Sequence, residues 1–315
     1  MKIAVIGTGG VGGYFGGKLA RAGHDVTFVA RGAHYDALAS RGLTVKAVDG
    51  DFQVHPLRVV DRIGKLDRPD LVLVATKTYD RDVAGAQLRE VVSPSTTVIP
   101  LLNGIDNDLR LQALLPGTRV YAGLAYVISA RTEPGVIVQS AGPRTLVFGE
   151  RKNPENRALQ AIASMMREAG IDATAAADIE EQLWIKFLWI VTFAGMTSVC
   201  RSSIGAIVND PESYALLVRC CDEAIAVGRA EGVSIGDVAR AQILDKAEKY
   251  RTVGSDAKAS MLVDIEHGRQ TEIDSLNGAI VRLARSHGLS VPIHETITCA
   301  VKLATAAFRS SSAEH

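Results

Sequence analysis

The feature that most constrains the fold is a glycine-rich turn directly after an apolar run at the start of the chain. Lys2–Ile6 is followed by Gly7-Thr8-Gly9-Gly10-Val11-Gly12, which matches the pattern G-x-G-x-x-G. Between a buried strand and a helix, Gly7 permits a tight turn, Gly9 lets the backbone approach a pyrophosphate, and Gly12 allows close packing of helix on strand. The free N–H groups at the start of the helix would bind that anion. The segment therefore predicts a dinucleotide-binding βαβ unit.

The residue after the second predicted strand indicates which dinucleotide is bound. In units of this kind, an acidic residue at the end of that strand binds the ribose hydroxyls of NAD. Here the strand Asp25–Ala30 is followed by Arg31, whose guanidinium suits a 2′-phosphate. The alternative is a solvated surface arginine. We predict NADP, used as NADPH, rather than NAD.

Two polar segments follow later strands of the same α/β pattern. Lys77 comes after the apolar strand Leu71–Ala75, and Asn103-Gly104 comes after the strand Thr97–Leu101. Alone, such a lysine is usually a solvated loop residue, and an Asn-Gly pair is usually a turn. Open α/β sheets bind ligands at the carboxyl ends of their strands. The shared position of the two segments therefore favours a functional role for both.

The pattern changes twice along the chain. From Val120 to Gly149, short strands separated by Glu133-Pro134-Gly135 and Gly142-Pro143 predict an antiparallel extension of the sheet. After about Asp178 the strands disappear. We therefore expect residues 1–177 to form an α/β dinucleotide-binding domain and residues 178–315 to form an all-α domain. The helices predicted in the second domain are Ile179–Thr197, Ser213–Glu231, Val238–Tyr250, Ile273–His287 and Ile293–Phe308.

Composition argues against several classes of protein. The 35 basic and 35 acidic residues give no net charge, whereas a dedicated nucleic-acid binder has a basic excess. The longest apolar run, Phe187–Cys200, is shorter than the ~20 residues of a membrane span and predicts a core helix. The four cysteines have neither disulfide nor zinc spacing, and the seven histidines form no metal-ligand or Ser-His-Asp pattern. We expect a cytoplasmic protein that binds no metal, membrane or nucleic acid.

The helical half contains a lysine in a strongly apolar context. Lys186 lies within Trp184-Ile-Lys-Phe-Leu-Trp-Ile-Val, where burial would lower its pKa and make it a proton donor near neutral pH. The alternative is a lysine whose head reaches water. Ser260 and Glu272 are weaker candidates. A helix starting near Ile273 would place Glu272 in its first turn, where a glutamate is favourable for structural reasons alone.

Taken together, these residues resemble the ketopantoate reductase family, also called the 2-dehydropantoate 2-reductase family. The resemblance implies a Rossmann-type N-terminal domain that binds NADP, an all-α C-terminal domain that binds substrate, and the reduction of a 2-oxo acid by NADPH. The residues that carry it span nearly the whole chain: Gly7-x-Gly9-x-x-Gly12, Arg31, Lys77-Thr78-Tyr79-Asp80, Asn103-Gly104, Trp184-x-Lys186, Ser260-Met261 and Thr271-Glu272-Ile273-Asp274.

The resemblance also implies roles for individual residues. Lys186 would be the general acid that protonates the carbonyl oxygen, and Glu272 would be its acidic partner. Asn103 would contact both cofactor and substrate, and Ser260 would contact the substrate. The residues expected to bind the cofactor are Gly7, Thr8, Gly9, Gly10, Val11, Gly12, Arg31, Lys77 and Asn103.

The sequence departs from the family pattern at three positions that are asparagines in the family. Ile190 and Ala194 stand four and eight residues after Lys186, and the third position aligns near Ile204. Each lost polar contact costs about 1 kcal/mol, so three losses would weaken recognition of hydroxylated ketopantoate by about 10²-fold or more. We predict a ketopantoate reductase of pantothenate biosynthesis. The alternative is a reductase of the same family acting on a less polar 2-oxo acid, ketone or imine at a pocket that includes Ile190 and Ala194.

Two further interpretations compete with this one. A dinucleotide-binding regulator that has lost catalysis is disfavoured by the presence of both Lys186 and Glu272. A two-domain dehydrogenase acting on a 3-hydroxy acid or a polyol phosphate shares the glycine pattern, but Arg31 and the segment 271–274 favour the first interpretation. A homodimer through the helical domain is implied by the resemblance alone.

Overall fold

The structure is a computed structural model that describes residues 1–153, 155–253 and 255–306, without the side chains of 252 and 253. The chain divides into two compact units, Met1–Glu180 (unit 1) and Glu181–His315 (unit 2). The strands of unit 1 are β1 (Lys2–Ile6), β2 (Asp25–Val29), β3 (Leu43–Ala47), β4 (Phe52–Val54), β5 (Arg58–Val60), β6 (Leu71–Val74), β7 (Thr97–Pro100), β8 (Arg119–Val120), β9 (Ala122–Glu133), β10 (Val136–Gly149) and β11 (Asp172–Ala175). Its helices are α1 (Gly10–Arg21), α2 (Gly32–Arg41), α3 (Arg81–Leu88), α4 (Asn107–Leu114) and α5 (Arg157–Glu168).

The first sheet of unit 1 is parallel throughout, in the order β5-β2-β1-β6-β7-β8. Successive residues of β1 point to opposite faces, so Ile3 and Val5 join one apolar cluster while Ala4 and Ile6 join another. A parallel sheet covered on both faces needs strands without a polar side, which explains the uninterrupted apolar runs. The chain leaves β1 toward β2 and later returns to β6 on the other side of β1. The strand order therefore reverses at β1, where such sheets bind ligands.

Most of the segment 120–149, from Ala122 onward, belongs to a second sheet, so the predicted antiparallel extension of the first sheet is wrong. This sheet has the order β11-β10-β3-β4, and β9 pairs antiparallel with β10. β10 runs through Gly142-Pro143 as one irregular strand, because the pairing shifts register there instead of reversing the chain. Gly142 takes a positive φ of 79° and Pro143 has no N–H to donate, which favours a bulge as much as a turn.

In the part of unit 2 that the structure describes, all regular elements are helices. They are α6 (Ile179–Cys200, which begins in unit 1), α7 (Ile204–Asn209), α8 (Pro211–Ala230), α9 (Asp237–Val253), α10 (Ser260–Glu266), α11 (Asn277–Ser286) and α12 (Pro292–Ala304). The last helix was predicted to reach Phe308, which lies outside the described residues. Among those residues, α6 is the one helix long and apolar enough to cross a membrane, and 61% of its apolar window is buried in the structure. Such burial is typical of a core helix.

Candidate functional site

The glycine loop, residues 7–12, joins β1 to α1. Gly7 has φ +91°, and a Cβ there would lie 2.8 Å from the backbone of Ala75. A Cβ on Gly12 would lie 2.2 Å from the carbonyl oxygen of Gly7, so neither position accepts a side chain. A Cβ on Gly9 would meet nothing within 4 Å. The open space over Gly9, at a helix start without a side-chain cap or an acidic first turn, fits the pyrophosphate of a dinucleotide.

The other members of the loop hold it in place. A Cβ on Gly10 would lie 2.3 Å from the carbonyl oxygen of Ser129, so α1 passes directly against β9. Val11 packs, partly buried, against the core. The buried Thr8 hydroxyl donates to the carbonyl oxygen of Val29 at 3.0 Å, which ties the loop to the end of β2.

A buried histidine that the sequence analysis missed also braces this loop. His34 is 4% exposed, and its Nδ1 accepts a hydrogen bond of 2.9 Å from the Gly135 N–H. Its Nε2 must then carry the hydrogen, which it donates to the carbonyl oxygen of Thr8 at 2.7 Å. Burial lowers the pKa of His34, which favours this neutral form. His34 therefore connects the glycine loop to the turn between β9 and β10. No pattern in the sequence marks it out from the other histidines.

Arg31 is exposed and immediately precedes α2, two residues after the end of β2. Burial raises the pKa of Asp80, which lies in a short 3-10 turn after β6, and the charge of Arg31 partly offsets that rise. The arginine therefore lies at the carboxyl edge of the sheet, within electrostatic reach of a carboxyl group on the neighbouring loop.

Lys77 and Asn103 follow β6 and β7, which are adjacent parallel strands. Both residues are partly exposed. The carbonyl oxygen of Asn103 accepts a hydrogen bond of 3.1 Å from the side chain of Asn107, whose Oδ1 accepts one of 3.0 Å from buried Arg81. The glycine loop, Lys77 and Asn103 thus share the carboxyl edge of three neighbouring strands, β1, β6 and β7.

In unit 2, Lys186 lies on α6 and retains partial exposure. Burial around its ammonium lowers the pKa of Lys186 to about 8, while the carboxylate of Glu272 acts in the opposite direction. Glu272 itself is 7% exposed. The structure therefore brings these two predicted residues within electrostatic reach of each other, although they are distant in sequence.

The predicted placement of Glu272 in the first turn of a helix is wrong. The helix begins at Asn277, and Glu272 lies in the preceding turn, where its carbonyl oxygen accepts the N–H groups of Ser275 and Leu276. The favourable effect of a helix N-terminus on a first-turn acid therefore does not account for this residue.

The remaining predicted substrate residues differ in accessibility. Ser260 is exposed at the start of α10, and Ile190 is partly exposed one turn after Lys186. Ala194 is 3% exposed and Ile204 is fully buried at the start of α7. Of the three positions that depart from the family pattern, Ile190 alone has partial exposure on the Lys186 face.

Comparison with known proteins gives the family. Residues 3–153 match the family described as "Ketopantoate reductase PanE/ApbA", and residues 178–305 match "Ketopantoate reductase PanE/ApbA C terminal". The chain belongs to the ketopantoate reductase family. A 2-dehydropantoate 2-reductase of Halobacterium salinarum is 30% identical over 96% of this chain and 99% of its own length.

Solved structures of ketopantoate reductases share the fold of both units. One from Ralstonia eutropha has a TM-score of 0.90 at 29% identity, covering 98% of this chain and all of that one. A D-mandelate dehydrogenase with NADH and anilino(oxo)acetate has a TM-score of 0.88 at 21% identity, covering 98% of this chain and all of that one. A ketopantoate reductase from Staphylococcus aureus, 20% identical, is described as dimeric. The predicted family and fold class are confirmed, and the chain is an oxidoreductase of the ketopantoate reductase family.

A buried polar network in this family member holds α6 in place. The side chain of Asn277 donates to the carbonyl oxygen of Val191 at 3.0 Å and lies 3.1 Å from Nδ1 of His294. A Cβ on Gly195 would lie 2.5 Å from the Asn277 amide, so glycine is required where α6 passes it. Burial lowers the pKa of His294 to about 4 and keeps it neutral. The sequence analysis missed this network, which fixes the helix that carries Lys186.

Proposed function

We propose that the protein reduces a 2-oxo acid with NADPH and uses Lys186 as the proton donor. The observation that carries this proposal is the pKa of Lys186, lowered to about 8 by burial beside the carboxylate of Glu272. At that pKa about nine-tenths of the side chain is protonated at neutral pH, yet the proton is released more readily than from a solvated lysine. A regulator without catalysis would not require a buried lysine with a lowered pKa beside a carboxylate.

When bound, NADPH would supply a hydride to the carbonyl carbon. As the C=O π bond breaks, its electron pair moves to oxygen, and the Lys186 ammonium donates the proton that turns the alkoxide into a hydroxyl. Before that transfer its positive charge stabilises the developing negative charge. Glu272 favours the charged form of Lys186, and the neutral amine regains its proton from solvent.

The proposed cofactor residues are those at the carboxyl edge of the first sheet. The glycine loop would bind the pyrophosphate with backbone N–H groups, and its open space at Gly9 supports this fit. Arg31 would bind the 2′-phosphate, and Lys77 and Asn103 would contact the cofactor from neighbouring strand ends. We assign this role to residues 1–177 and substrate binding to residues 178–315. A cytoplasmic location and a homodimer remain part of the proposal.

Two substrates are candidates. The activity of relatives such as the 2-dehydropantoate 2-reductase of Halobacterium salinarum supports 2-dehydropantoate. The partly exposed Ile190, one turn from Lys186, supports a less polar 2-oxo acid, ketone or imine. An apolar side chain at that position leaves a substrate hydroxyl without a partner, which costs affinity for 2-dehydropantoate.

The test measures NADPH oxidation with 2-dehydropantoate and with a panel of apolar 2-oxo acids, ketones and cyclic imines. We expect Lys186→Ala to lower kcat about 10³-fold on every substrate that the native enzyme reduces. The exposed Lys152→Ala is the matched control and should leave kcat unchanged. Equal activity of Lys186→Ala and the native enzyme would refute the role of Lys186. NADPH binding without any turnover would favour the regulator.

A further inference from the structure

One face of α6 starts at Lys186 and continues with large apolar side chains. At about 100° per residue, Phe193 lies about 20° from the direction of Lys186, with Trp189 about 60° to one side and Ile190 about 40° to the other. Helical side chains lean toward the N-terminus, so Trp189 and Phe193 lean toward Lys186. All four residues are partly exposed, in a helix that is otherwise mostly buried.

The aromatic residues of this face are joined by a third from α9. The ring centroids of Trp189 and Phe193 are 5.0 Å apart with planes 12° from parallel. The ring of Tyr250 lies 6.3 Å from Trp189 and 6.4 Å from Phe193, again nearly parallel to both. We call these three rings the aromatic ledge. Their spacing is that of offset-stacked rings, an arrangement that another planar ring can extend.

A cationic depression adjoins the ledge. The Lys246 ammonium lies 4.2 Å from the centroid of the Trp189 ring, and burial together with the charge of Lys249 lowers the pKa of Lys246. The depression has a volume of about 550 Å³, within the usual range for small-molecule sites. It is lined by Gln242, Asp245, Lys246, Lys249 and Tyr250. Two lysines against one aspartate favour an anionic ligand.

We propose that the aromatic ledge binds the side chain of the substrate, and that this substrate is a 2-oxo acid carrying an aromatic ring. The inference rests on the proposed function, since it takes Lys186 as the group that meets the carbonyl oxygen. With the carbonyl at Lys186, a substituent directed along α6 passes Ile190 and reaches Trp189 and Phe193. Apolar side chains and stacked rings suit a planar apolar substituent.

The first experiment compares phenylpyruvate with the aliphatic 2-oxobutanoate and with 2-dehydropantoate in the native enzyme and in Trp189→Leu. We expect the native enzyme to prefer phenylpyruvate. In Trp189→Leu, kcat/KM should fall about tenfold or more for phenylpyruvate and less than about threefold for 2-oxobutanoate. Phe193→Leu provides a second test if the first variant folds poorly. The matched control is Tyr214→Leu, another aromatic residue that contacts a cation of α9, Arg251, but lies outside the ledge.

A second readout does not depend on turnover. The chain has two tryptophans, Trp184 and Trp189, of which Trp184 is buried. We expect phenyllactate to change the tryptophan emission of the native protein and not that of Trp189→Leu. A preference for aliphatic acids, with phenylpyruvate kinetics unchanged in Trp189→Leu, would show that the aromatic ledge does not bind the substrate side chain. The proposed function would remain intact. The protein could instead reduce no 2-oxo acid while its Trp189 emission responds to phenyllactate. That result would support ligand binding at the aromatic ledge and reject the proposed function.

Discussion

The glycine loop of unit 1 and the Lys186 face of unit 2 position their chemistry in opposite ways. The loop uses backbone groups within six consecutive residues, held by the contacts of Gly7, Gly10 and Gly12 with neighbouring strands. The Lys186 face uses side chains from one helix, together with Glu272 and Tyr250 from elsewhere in the chain. A backbone site tolerates few substitutions, since added atoms collide. A side-chain site can change its ligand while its proton donor stays in place.

The sharpest test of the backbone site compares two glycines of the same loop. We expect Gly9→Ala to fold normally, since its Cβ meets nothing within 4 Å, but to bind NADPH about 100-fold more weakly because the methyl group occupies the pyrophosphate position. Gly12→Ala places a Cβ 2.2 Å from a carbonyl oxygen and should lower the unfolding temperature as well. Thermal unfolding and fluorescence titration with NADPH measure both effects. Native affinity in Gly9→Ala would contradict a pyrophosphate at this position.

The side-chain site is tested through the pH dependence of kcat. Above a pH of about 8 the Lys186 ammonium loses its proton, so kcat should fall as the pH rises through that value. Glu272→Gln removes the carboxylate that raises the pKa of Lys186, so this alkaline limb should move to lower pH and kcat at neutral pH should fall about 30-fold. Glu266→Gln, exposed in the same unit, is the control. An alkaline limb that stays in place in Glu272→Gln would show that the carboxylate does not act on Lys186.

Sequence predicted the backbone region better than the side-chain region, for a physical reason. The strands β1, β6 and β7 are buried on both faces, and their apolar runs are unmistakable. The short strands β3, β4 and β5 were not predicted, because three to five residues of mixed polarity carry little periodicity.

The side-chain region depended on tertiary contacts that no local pattern encodes. Lys186 is recognisable in the sequence as a charge in an apolar helix, but the stacking of Trp189 and Phe193 on Tyr250, 57 residues beyond Phe193, is not. Glu272 was assigned to a helix that begins five residues later, since helix starts are the least certain part of any prediction. Asn277 and His294, which fix α6, are buried polar residues whose partners are distant in sequence.

Cofactor preference tests whether Arg31, at the carboxyl edge of the first sheet, recognises the charge of the 2′-phosphate. We expect Arg31→Ala to weaken NADPH binding about tenfold and to leave NADH binding unchanged, because a charge-assisted contact to the 2′-phosphate contributes about 1.4 kcal/mol or more. Arg41→Ala, at the far end of α2, is the matched control. Titration of each variant with NADPH and with NADH gives the ratio of the two dissociation constants. An equal loss of affinity for the two cofactors in Arg31→Ala would assign Arg31 a structural role.

The smallest expected effect concerns His34. This titratable side chain holds the glycine loop through its hydrogen bond to Thr8. His34→Gln should lower the free energy of unfolding by about 1 kcal/mol and weaken NADPH binding a few-fold, since the bonds to Thr8 and Gly135 are lost.

The stability contributed by His34 should also depend on pH. In the folded chain the pKa of His34 lies below the usual 6.5, so the unfolded chain binds the proton first as pH falls. The contribution of His34 is therefore complete above that pH and decreases below it. Denaturant unfolding from pH 7.5 down to about pH 5 should show a shallower loss of stability in His34→Gln than in the native protein or in the exposed control His267→Gln. Identical slopes in all three would mean that the pKa of His34 is the same in the folded and the unfolded chain, which would contradict its burial as a neutral side chain.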